Sequence, residues 1–176
     1  MLRPEFLTDL QGGDQADILE AVESLDGGSK EQLLDWLQSR RDFFPNDKVW
    51  AQVCVGIYPL SRGLVLDAIE GKDGEQCFSV LCALTDIECD DGEVLAAVAK
   101  VAQTERNDES ETQWMAIGAL VEGFPMELAE PILAEMIGAG DRAVKGMLEH
   151  RANLQSGQRR RWLDRMLGRD PGPSLN

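Results

Sequence analysis

The densest group of candidate ligands in this chain is a run of carboxylates, Asp86, Glu88, Asp90, Asp91 and Glu93. Oxygen donors at this density suit a hard cation such as calcium. An EF-hand loop, however, needs glycine at its sixth place and glutamate at its twelfth. Counted from Asp86, those places hold Asp91 and Ala97, so the motif fails. The run is expected to be a loop between two helices that faces water, caps the second helix and offers negative charge to a basic partner. Glu93 would sit at that helix's N-terminus, where the dipole favours an anion. A second run, Glu105, Asp108, Glu109 and Glu111, is expected to cross the next loop in the same way. Together the two runs also suit mimicry of a nucleic-acid backbone.

Other chemistry is poorly supplied. The four cysteines, Cys54, Cys77, Cys82 and Cys89, include no C-x-x-C pair, and the single histidine, His150, is far away in sequence. Zinc therefore lacks its ligand set, and the thiols read as reduced. There is no Gly-rich phosphate loop and no nucleophile elbow. The expectation is a non-enzymatic protein with no cofactor and no metal. The run Gln158-Arg159-Arg160-Arg161-Trp162 sets arginines beside an aromatic, a pattern that can serve nucleic acid. Trp162, Leu163, Met166 and Leu167 make an apolar stripe, however, which leaves the arginines on the opposite face. A contact within the chain, or between two copies, is the simpler expectation.

Charge is strongly divided. The chain of 176 residues has a formal net charge of −15. Residues 139–176 hold eight Lys/Arg and four Asp/Glu, a net of +4, which leaves −19 on residues 1–138. An acidic body repels phosphate backbones, so direct nucleic-acid binding is not expected, and a basic protein surface is the favoured partner. Apolar residues are 43% and charged residues 28%, which are globular values. No uninterrupted apolar run approaches membrane-spanning length, and the opening MLRPEFLTDL does not read as a signal peptide. Cytoplasmic location and no membrane partner are the corresponding expectations.

The elements that must position these charges are written as a repeat. Trp50-Ala51-Gln52-Val53-Cys54-Val55-Gly56-Ile57 returns as Phe78-Ser79-Val80-Leu81-Cys82-Ala83-Leu84-Thr85 and as Trp114-Met115-Ala116-Ile117-Gly118-Ala119-Leu120-Val121. The starts are 28 and 36 residues apart, spacings that bracket helical-hairpin repeats. Each aromatic-led helix is followed by a second with its own stripe: Leu64, Val65, Ala68 and Ile69; Val94, Leu95, Val98 and Ala99; Leu128, Ala129, Ile132 and Leu133. Cys54, Gly56, Cys82, Ala83, Gly118 and Ala119 are small enough to let neighbouring helices close up, with Cys54 and Cys82 at one shared buried position. Trp36, Trp50, Trp114 and Trp162 are core candidates. Upstream, Asp14 and Ser29 read as N-caps and Gly27-Gly28 as a helix stop. Two more helices are expected over Asp141–Leu154 and Gly157–Leu167.

This pattern resembles the HEAT and armadillo-like α-solenoids over roughly residues 14–167. The resemblance implies an all-α fold, a right-handed solenoid of about five helical hairpins. It would form a single domain over residues 1–169, clearest over 47–138, with a basic C-terminal hairpin at 141–167 and a disordered tail at 170–176. In such a solenoid the second helices line the concave face. Their outward positions here are Leu66 and Asp67, then Glu93, Ala96 and Ala97, then Glu127, Glu130 and Pro131. With the loop acids, the candidate partner-binding residues are Asp67, Asp86, Glu88, Asp90, Asp91, Glu93, Glu127 and Glu130. A small acidic binding module looks like a dedicated inhibitor that occludes a basic protein, as bacterial immunity proteins do with toxins. A nucleic-acid-mimicking phage inhibitor of a DNA-binding defence complex, and an adaptor subunit of a larger assembly, are the alternatives.

Overall fold

Several helices in this chain begin where an Asp or Asn side chain can bond the exposed backbone N–H groups of a first turn. In the computed structural model, which describes residues 6, 10, 15–41, 44–104, 111–154 and 156–169, five helices start this way. The carboxylate of Asp26 accepts from Ser29 N at 2.8 Å and the amide oxygen of Asn46 from Val49 N at 2.9 Å. Asp73 accepts from Glu75 N and Gln76 N, Asp91 from Glu93 N and Val94 N, and Asp141 from Val144 N. Several of the chain's many acids are therefore structural.

Among the described residues the protein is all-helical, with ten helices and no strand. They are α1 (Gln15–Glu23), α2 (Gly27–Ser39), α3 (Asp47–Gly56), α4 (Arg62–Glu70), α5 (Gly74–Leu84), α6 (Gly92–Gln103), α7 (Glu111–Glu122), α8 (Met126–Gly138), α9 (Arg142–Leu154) and α10 (Gly157–Met166). None is long and apolar enough to cross a membrane. The chain divides into two compact units, Met1–Ala83 and Leu84–Asn176.

In the first unit, α3 packs against α1, α2 and α4. Every residue from Val49 to Val55 is buried, as expected of a helix with neighbours on several sides. Gly56 explains the close approach of α1: a Cβ there would lie 2.9 Å from Val22 Cγ1. Trp50 is buried, its indole N–H donates to Leu37 O at 3.4 Å, and the Arg41 guanidinium sits 4.1 Å from its ring centroid. Arg41 also pairs with Asp47. Burial pushes the Cys54 thiol well above its ordinary range, so it stays protonated and inert.

In the second unit, α7 occupies the central place, buried continuously from Ala116 to Val121 and in contact with α6, α8 and α9. Contacts also join α6 to α8, α8 to α10, and α9 to both α8 and α10. The chain passes from α7 to α8 through Gly123, Phe124 and Pro125, where Phe124 is fully buried. The Cys89 N–H donates to Gly123 O at 2.8 Å and ties the α5–α6 connection to this turn.

Several local expectations need correction. Gly27-Gly28 does not stop a helix but opens α2, because Asp26 rather than Ser29 supplies the cap; Ser29 is buried inside the helix. Cys82 is half-buried, unlike its counterpart Cys54, and Trp36 and Trp114 are half-buried. Ala97 is buried and belongs to the core, not to an outer strip. In α8 the buried stripe is Ala129, Leu133 and Met136, so the stripe is rotated and Leu128 is left 39% exposed. Pro131 lies inside α8 and removes one backbone donor there. The expected cap Asp14, the acids Glu105, Asp108 and Glu109, and the tail 170–176 lie outside the described residues.

The Asp26 cap gives a pH prediction. The backbone N–H of Ser29, and then its hydroxyl, bond the carboxylate and hold it below its ordinary value of 3.8. A depressed carboxylate stabilises the fold above its unfolded value, and that contribution is lost as the pH falls through the acid range. Asp26→Asn keeps a capping oxygen without the charge. Its stability relative to wild type is therefore expected to be lowest near neutrality and to converge on wild type below about pH 4. Chemical denaturation at pH 7 and pH 3 checks this, and an unchanged difference at both pH values would contradict it.

Candidate functional site

The α8–α10 pair in the second unit builds the site. Residues three or four apart on a helix share a face, so Met126, Glu127 and Glu130 project together from the start of α8. Gln158, Arg161, Trp162 and Arg165 project together from α10. The two sets line one cleft of about 480 Å³. That volume lies within the range of small-ligand and side-chain pockets. One wall carries two carboxylates and the other two guanidiniums. Trp162 closes the floor. It is only 2% exposed, and its indole N–H donates to Glu130 Oε2 at 2.9 Å. That bond fixes the direction of the Glu130 carboxylate. Glu127, Arg161 and Arg165 are exposed. Among the described residues neither Arg161 nor Arg165 forms an ion pair with Glu127 or Glu130.

The helices behind the cleft are held by the other arginines. Arg151 Nη1 donates to both carboxylate oxygens of Glu122, at 3.0 and 2.9 Å. The pair is largely desolvated, with side chains 19% and 17% exposed. Gly118 makes room for it: a Cβ there would lie 2.9 Å from Arg151 Nη2. Arg159 donates to Val121 O near the C-terminus of α7, where the helix dipole favours a cation. Arg160 donates to Ala152 O and, through Nε, to Asp164 at 2.8 Å. Arg159 and Arg160 thus serve the fold, as a contact within the chain, while Arg161 and Arg165 are free to meet a ligand.

The structure separates the eight candidate partner-binding residues. Glu127 and Glu130 come together in the cleft. Asp86, Glu88 and Asp90 are exposed on the α5–α6 connection, and none of them lines the cleft. Asp91 is occupied as the cap of α6, and Glu93 is exposed in that helix's first turn. Asp67 is exposed on α4, in the other unit. Among the described residues no group of three or more His, Cys, Asp or Glu could hold a metal ion. Sequence reasoning counted Arg161 and Arg165 within a basic C-terminal segment and did not bring either to the same cleft as Glu127 and Glu130. The available signal was the abrupt change of charge sign after residue 138.

No family model, no curated protein and no solved structure matches this chain.

Proposed function

We propose that the chain is a non-enzymatic protein-binding module. It neutralises a cognate basic protein by occluding it, and long-range attraction to its acidic body speeds the encounter. The observation that carries this reading is the charge: −19 over residues 1–138, with Glu88, Asp90 and Glu127 standing exposed. A surface of one sign steers an oppositely charged partner and raises its association rate by one to three orders of magnitude. We further propose HEAT-like helical hairpins in a right-handed solenoid of about five. Two features support that architecture. The repeated aromatic-led segments at α3 and α7 each contain a continuous buried run, Val49–Val55 and Ala116–Val121, and α6, α8 and α10 adjoin in series beside α7 and α9.

The test is affinity capture of the tagged protein from its own cells, with nuclease present, at low and at high salt. The expected result is one basic protein that is retained at low salt and released at high salt. Competition between that protein's DNA and the module would favour nucleic-acid mimicry over simple occlusion. A multi-subunit complex that survives high salt, or retention lost on nuclease treatment, would overturn the proposal.

A further inference from the structure

The cleft between α8 and α10 carries both signs of charge, which a general attraction to basic surfaces does not explain. A purely basic ligand would meet Arg161 and Arg165 at close range. A phosphate-rich ligand would meet Glu127 and Glu130. A metal cation would face the guanidiniums, and metal sites among the described residues are absent. Like charges brought together in a partly enclosed site are costly, and opposite charges are favourable. The four charged groups are also held apart: no ion pair joins the two walls among the described residues. The space between them, about 480 Å³, accommodates more than one side chain.

We propose that this cleft binds a short segment of a partner protein that carries one cationic and one anionic side chain about a helical turn apart. The cation lies against Glu127 and Glu130, and the anion against Arg161 and Arg165. Trp162 is a positioning residue, since it is buried and holds Glu130 by its indole N–H. The inference rests on the protein-binding reading and adds the feature that is recognised. The acidic body governs the rate of encounter, and the two-signed cleft selects among basic proteins.

The probes are blocked five-residue peptides with Lys at one end, Glu at the other and three Ala between, set against Lys/Lys and Glu/Glu versions. The readout is the Trp162 indole N–H resonance of the full chain, assigned with Trp162→Phe. The Lys/Glu peptide is expected to shift that resonance saturably and to bind at least fivefold more tightly than either same-sign peptide. Arg161→Glu with Arg165→Glu should reverse the preference toward Lys/Lys. Both residues are exposed on α10, so the double variant is expected to fold. A Lys/Lys peptide that binds wild type as tightly as Lys/Glu would overturn the inference. So would a Trp162 resonance that responds to none of them, or one that moves only with protein concentration, which would assign the cleft to a second copy. If capture from cells yields no basic partner but the Lys/Glu preference holds, the general reading fails and the cleft assignment stands. If a basic partner is captured equally well by the Arg161→Glu/Arg165→Glu variant, the cleft assignment alone fails.

Discussion

Gly123→Ala is expected to cost on the order of 3 kcal/mol of folding stability. A Cβ at this position would stand 2.3 Å from the Leu84 carbonyl oxygen and 3.0 Å from that of Ala119. Both are backbone atoms, so no side-chain rotation can relieve the contact. The same residue accepts the Cys89 N–H at 2.8 Å, and any shift of the turn weakens that bond too. For a chain of this size the loss corresponds to a melting temperature lower by roughly 6–12 °C. Gly63→Ala is the control, because nothing lies within 4 Å of its Cβ. It lies within α4 and should be neutral or stabilise by about 0.5 kcal/mol. Equal stabilities for the two variants would contradict the close approach of the turn to the α5 terminus.

Trp162→Ala is expected to cost about 3–5 kcal/mol, the usual range for emptying a buried aromatic site. Trp162 is 2% exposed and joins α10 to α8 through Glu130. The indole contributes both volume and one donor, and a second variant separates them. Trp162→Phe keeps an aromatic ring in the site and removes the N–H together with part of the ring volume, so about 1–2 kcal/mol is expected. That variant should remain folded, with Glu130 released from its orientation. Urea denaturation measures both. If Trp162→Phe proved as damaging as Trp162→Ala, the hydrogen bond would matter more than packing. If neither had an effect, α10 would not be docked as described.

The helical character of the chain was legible because its apolar residues recur at helical spacing and its turns carry Gly, Pro, Asp and Asn. The aromatic-led repeat pointed to α3 and α7, and burial from Val49 to Val55 and from Ala116 to Val121 explains why those segments resemble each other. The α1–α2 junction at Gly27-Gly28 departs from the expectation. Paired glycines serve a helix stop as well as a helix start, and only the backbone geometry at Asp26 distinguishes them. Ala97 was misplaced because alanine fits either face of a helix, and Leu128 because the i, i+1, i+4, i+5 stripe drawn by alignment does not fix which flank of it meets the core. At the site, Glu127 and Glu130 were identified as surface acids. Their arginine counterparts were not joined to them, since Arg161 and Arg165 stand more than 30 residues away in sequence. Pairings over that distance are set by how helices pack, and periodicity within a helix carries no information about them.

In the proposed function, charge on the acidic body drives association with a basic protein. The most direct measurement is the association rate of the captured partner with wild type and with Asp67→Lys/Glu88→Lys/Asp90→Lys, across ionic strength. These three residues are exposed, none caps a helix and none lines the cleft, so the triple variant tests long-range charge and not folding or cleft binding. The wild-type rate is expected to fall by tenfold or more between low and high salt, roughly the scale of electrostatic steering. The variant is expected to associate more slowly at low salt and to lose most of that salt dependence, with little change in dissociation. A wild-type rate insensitive to salt, or a variant with the same rate as wild type, would rule out charge-driven association.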